Sequence, residues 1–213
     1  MCWSATADLV AGSAIGAVGV ACVARAARTR PRAVPLAALP LLLGAHQIIE
    51  ALIWNDGGGT GPATVAWAVI ALPLLPLWVP VGVVWAAPHH ARRRLALPLA
   101  SGVVTSAVLA YVLATSTVTA EVRGHTMGYA IGLPHAPWLL AGYLLATIGS
   151  LLLSGEAGLV LLGVLAGVGA GVCAALWRWE FISTWCAFAA VCSVVLYGWL
   201  RGGGARTRRA ALS

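Results

Sequence analysis

His46, Glu50 and Trp54 stand at four-residue intervals in an otherwise apolar stretch. On a helix, positions i, i+4 and i+8 share one face, so the three form a stripe. His46 and Glu50 together make an H-x-x-x-E pair, a spacing that can chelate a cation. Adding His125 or His135 gives the two-histidine, one-carboxylate set that catalytic zinc and non-haem iron use. Cys2 or Cys186 would supply a softer ligand. The cofactor expected on these grounds is a divalent transition metal (zinc, copper or iron), and a b-type haem held by histidines fits the same residues. Glu50 can also act as a general base, or pair with His46, Arg123 or Arg178 simply to fix helix packing. Cys2 has two readings of its own. It becomes an N-terminal amine and thiol if Met1 is removed, or it forms a disulfide with Cys173 or Cys186 in an oxidising outer compartment.

The elements that must position these groups follow from composition. Of 213 residues, 61% are hydrophobic and 9% charged, with mean hydropathy +0.92. A soluble domain carries roughly 25% charged residues, so this chain lacks the polar surface to cover a globule in water. Seven apolar blocks can be read at 8–25, 34–54, 63–86, 95–116, 135–153, 157–176 and 183–200. Each approaches the roughly 20 residues a helix needs to cross the hydrocarbon core. Ten-residue alternating segments are absent, so helices and not a barrel satisfy the backbone. The fold class expected is an all-α integral membrane protein: one seven-helix bundle over 1–200, followed by a basic, disordered tail over 201–213. The first block is followed by arginines and not by a cleavage site, so it is expected to stay in the mature protein.

Charge gives the direction. There is no lysine, and arginines cluster at Arg25–Arg32, Arg92–Arg94 and Arg201–Arg209. The intervening connections at 55–62, 121–134 and 177–182 are poor in basic residues. That alternation places the N-terminus outside and the C-terminus in the cytoplasm. It also explains the net charge of +7 without nucleic acid. With this direction, Cys2, the outer ends of the His46–Trp54 stripe, His125, His135, Trp185 and Cys186 all lie toward the outer side. An acid inside a span costs on the order of 2.5–3.5 kcal/mol at the bilayer centre, so Glu50 is expected to face the bundle interior.

Other signals read more plainly. Trp3, Trp85, Trp138, Trp177, Trp179 and Trp199 lie near block ends, as an aromatic belt does. His89 and His90 belong to a solvated basic loop. Gly57–Gly59 lacks the following Lys-Ser/Thr of a phosphate loop. Glycines at 12, 16 and 19, and at 163, 167 and 171, suit close helix packing within one bundle.

Three ordered segments carry a resemblance: Met1-Cys2-Trp3-Ser4-Ala5, His46-Gln47-Ile48-Ile49-Glu50 ending at Trp54, and Ser183-Thr184-Trp185-Cys186-Ala187-Phe188. Together they resemble an uncharacterised bacterial seven-span family that bears a domain-of-unknown-function label. The resemblance implies an architecture in the bacterial inner membrane, and no activity. A retinal protein is excluded because its Schiff-base lysine has no counterpart. Similarity to the alkaline ceramidase and progestin-receptor-like hydrolases is architectural, since the final helix lacks a histidine pair. The leading expectation is a metal-dependent membrane enzyme acting on a small or lipid-like substrate, with Glu50 catalytic. The alternative is a non-enzymatic sensor, carrier or accessory subunit in the plasma membrane. Its partners would be the bilayer and either a second protein or further copies of the chain.

Overall fold

The computed structural model describes residues 4–176 and 180–210. Six helices are long and apolar enough to cross a membrane: α1 (Ala5–Thr29), α2 (Pro31–Asn55), α3 (Pro62–Ala86), α4 (His89–Thr115), α6 (Ala157–Leu176) and α7 (Phe181–Gly202). A shorter apolar helix, α5 (Ala136–Leu152), lies between α4 and α6. Helical backbone continues beyond α7 to Ala210. Large side chains on the outside of the bundle are apolar, such as Leu9, Val20, Val104, Leu161, Val168 and Val172. In water such continuous apolar faces would drive association. In a bilayer they are the solvent-matched surface, and the chain is a multi-pass membrane protein.

Helices α1 and α2 pack backbone to backbone. A Cβ on Gly44 would stand 2.8 Å from the Gly12 carbonyl oxygen, and one on Gly12 would stand 2.7 Å from the Gly44 oxygen. Further along, Gly19 meets Leu41. As numbers fall on α1 they rise on α2, so the pair is antiparallel, and Asp8 is carried toward the Glu50–Trp54 end. Apolar helices gain little hydrophobic energy from one another in lipid. Close packing of small residues therefore supplies the association.

Prolines shape α3. Residues Ile70–Leu74 form a π turn around Pro73, closed by the Leu75 N–H on the Ile70 carbonyl. The next residue, Pro76, has no N–H to give to the Ala71 carbonyl. Tyr143 of α5 fills that place, its hydroxyl donating to the Ala71 oxygen at 2.6 Å. Ser106 of α4 donates to the Pro73 oxygen at 2.5 Å, and the Trp78 indole donates to Pro35 of α2 at 2.9 Å. Tyr143 thus takes up the carbonyl that Pro76 leaves open, while Ser106 and Trp78 bond other backbone carbonyls across helix boundaries. A second π turn, Leu145–Gly149, interrupts α5.

The connection between α4 and α5 is not the plain loop that its position suggests. It folds into an antiparallel hairpin, β1 (Thr119–Arg123) and β2 (Thr126–Ala130), with Arg123 opposite Thr126. Gly124, at φ 63, provides the left-handed turn residue. Ala120 also bridges to Gly59, stitching the hairpin to the glycine-rich connection between α2 and α3. Val118, Ala120 and Met127 are buried, so the hairpin sits on the end of the bundle as a cover.

Candidate functional site

The stripe on α2 points inward. His46, Gln47 and Glu50 have no exposed surface, and neither has Asp8 of α1. Glu50 lies five residues from the end of α2 at Asn55, so the site occupies the hairpin-covered half of the bundle. Each side chain arrives on a different element. The glycine contact between α1 and α2 is what lets Asp8 approach. Trp67 comes from α3, Tyr129 from β2, and Ser183 from the first turn of α7.

Glu50 is the centre. Its Oε1 accepts the Ser183 hydroxyl at 2.5 Å and the Tyr129 hydroxyl at 3.3 Å. The Trp67 indole N–H approaches it outside hydrogen-bond geometry. Asp8 is near enough for the two carboxyl groups to feel each other's charge. The Trp54 indole N–H approaches Asp8 without completing a hydrogen bond. The aromatic rings form a wall. Trp67 stacks flat on Tyr129, with centroids 3.4 Å apart and planes 6° from parallel, and its other neighbour is the His46 ring at 4.8 Å.

The hydrogen-bond ledger of this site is open. Both Asp8 oxygens, both His46 nitrogens, both ends of the Gln47 amide, and the Trp54 and Trp67 indole nitrogens are buried without a hydrogen-bond partner. Buried polar groups are nearly always satisfied, and each that is not costs about 1–3 kcal/mol. No other region of the described residues has any such orphaned side-chain atom. The unpaired set mixes donors (both indoles, the amide NH2, one imidazole nitrogen) with acceptors (the carboxylate, the amide oxygen, the other imidazole nitrogen).

The remaining expected ligands stand elsewhere. His125 occupies the hairpin turn and is exposed; His135, at φ 52, is exposed at the start of α5. Among the described residues, no group of three or more His, Cys, Asp or Glu is placed to hold a metal ion. Trp185 is buried, donating its indole N–H to the Ala166 carbonyl at 3.0 Å and stacking on Phe181. Cys186 beside it is a buried free thiol, as is Cys173. Cys186 borders an apolar cavity with Tyr143 and Leu43. Cys2, Trp3, Trp177, Arg178 and Trp179 lie outside the described residues. Three members of the site are not apparent in the sequence. Gln47 is legible only as a third polar residue in the same apolar block as His46 and Glu50. Trp67 and Tyr129 carry no local signal, because only the folded bundle brings them to α2.

The fold and site define a multi-pass membrane protein with a buried, incompletely satisfied polar centre in one half of its helical bundle. The chain belongs to a family of unknown function, DUF6629, whose model matches residues 1–211. No curated protein and no solved structure matches it.

Proposed function

We propose that this protein is a seven-span bundle of the plasma membrane, N-terminus outside, that binds a small polar molecule in its outer half as a sensor or carrier. The observation that carries this reading is the set of orphaned donors and acceptors on His46 and Gln47, with Asp8 and the Trp54 and Trp67 indoles beside them short of complete hydrogen bonds. A ligand with both donors and acceptors completes them, with Glu50 as its charged anchor. The ligand is small, because Trp67 and Tyr129 already stack face to face. Indole N–H groups cannot ligate a metal, so the mixed set favours an organic ligand. The four-residue spacing of His46 and Glu50 supports a second reading, a transition-metal centre serving an enzyme, in which these two are the only protein ligands the described residues offer.

One experiment separates the two. Wild-type protein and Glu50→Gln are purified in mild detergent, and their metals and extractable small molecules are compared. The expected result is an organic polar molecule held by wild type and reduced at least ~10-fold in the variant, the loss of a charged hydrogen bond. A stoichiometric metal lost from the variant supports the second reading. Identical contents in both proteins remove both.

The seventh span rests on α5. Gly142 lies beside Thr105, and Gly149 lies near Pro98, so α5 runs antiparallel along α4 through the depth of the bundle. With seven spans, the arginine-bearing ends face the cytosol. A cysteine at His125 is expected to react with an impermeant maleimide in intact cells, and one at Arg93 only after permeabilisation. The reverse pattern would invert the proposed sidedness.

A further inference from the structure

At the opposite end of the bundle from Glu50, three connections meet around a cavity of about 510 Å³. The junction of α1 with α2 contributes Arg30, Pro31 and Arg32; the end of α3 and the residues after it contribute Ala86 and Pro88; and the short turn between α5 and α6 contributes Glu156. The Arg30 guanidinium lies over the Trp199 ring of α7, 5.0 Å from its centre. The same indole donates its N–H to Glu156 Oε2 at 3.2 Å. Trp199 therefore holds a cation on its face and a carboxylate at its edge, and it keeps Glu156 occupied. Among the described residues, the ion pair present joins Arg123 to Glu121 at the other end of the molecule. Arg30 and Arg32 form no ion pair with a described carboxylate, although Glu156 stands on the same wall. The Arg94 guanidinium packs against Gly155, next to Glu156.

A guanidinium fixed by stacking keeps its planar fork of N–H donors, which matches the oxygens of a phosphate. The rest of the wall is proline and alanine, offering no competing hydrogen bonds. We propose that this cavity binds a phosphate group, with Arg30 and Arg32 as its contacts. The cavity lies at the end of the spanning helices, at headgroup level, where the phosphate of an anionic lipid is the first source and free phosphate the second. The site is independent of the polar centre around Glu50.

The test uses native mass spectrometry of the detergent-purified full chain, titrated separately with a short-chain phosphatidylglycerol and with inorganic phosphate. Binding of the lipid by wild type, weakened roughly thirty-fold in the Arg30→Gln/Arg32→Ala double variant, is expected from the contribution of two arginines near a charged surface. Binding of inorganic phosphate with the same loss supports the site and makes free phosphate its source. Glu156→Gln removes the one carboxylate on the wall without touching the arginines that orient the chain, and it is expected to tighten binding. Equal binding by wild type and the double variant, or weaker binding by Glu156→Gln in a protein of unchanged thermal stability, would overturn the proposal.

Discussion

Gln47→Leu is expected to raise the stability of the purified, ligand-free protein by about 1–3 kcal/mol. Replacing a satisfied buried amide would do the opposite. Both ends of the Gln47 amide are buried without partners, and leucine has nearly the same volume. The substitution removes a desolvation cost and adds no cavity. His46→Leu is expected to act in the same direction. Ser183→Ala supplies the contrast, because its hydroxyl donates to Glu50. A buried hydrogen bond contributes about 0.5–1.5 kcal/mol, and its loss lowers stability. Thermal unfolding in detergent, followed by fluorescence or by retention of the monomeric peak, reads all three. Both polar-to-leucine variants should also lose any stabilisation that a bound ligand gives to wild type. If Gln47→Leu destabilised the protein by more than ~1 kcal/mol, the amide would be a satisfied structural group, and the reading of an open site would fail.

Gly44→Val is expected to be among the damaging single changes in the bundle. The new Cβ would fall 2.8 Å from both the Gly12 oxygen and the Gly16 nitrogen. Those are backbone atoms, so no rotamer change relieves the contact, and α1 must move away from α2. Overpacking of this kind costs about 1–3 kcal/mol or more. Here it would also draw Asp8 away from Trp54 and so reach the polar centre. Gly171 on α6 is the control, since nothing lies within 4 Å of where its Cβ would be. Gly171→Ala should be neutral or stabilising by about 0.5–1 kcal/mol, the entropy gained in a helix. Equal effects at the two glycines, measured by the same unfolding assay, would deny the α1–α2 seam its role.

Much of this architecture is written locally. Long apolar blocks specify helices because lipid leaves the backbone no other partner, and the blocks at 34–54 and 63–86 correspond closely to α2 and α3. Four-residue spacing likewise put His46, Glu50 and Trp54 on one inward face, since helical periodicity is a property of neighbours. The partners of that face are not local. Ser183 is 133 residues from Glu50 and Tyr129 is 79 residues away, and nothing in either neighbourhood encodes the meeting. The hairpin has no distinct signal in the sequence, because its strands are only five residues long and flank a Gly-His turn that reads equally well as loop. Asp8 could be placed at the right end of the bundle. Its approach to Trp54 depended on the close contact of Gly12 with Gly44, which is a pairing of two distant segments. The distances from His125 and His135 to Glu50 belong to the same class of information. Spacing along the chain defines which residues can ligate, and only the packed bundle defines which of them meet.

The bridge between Gly59 and Ala120 has a consequence for how anything enters. Because it fastens the hairpin to the turn between α2 and α3, and because Tyr129 on that hairpin reaches down to Glu50, the two attachments share one rigid flap. For the proposed ligand, lifting either edge would strain the other, so entry and exit would both require the two fasteners to release together.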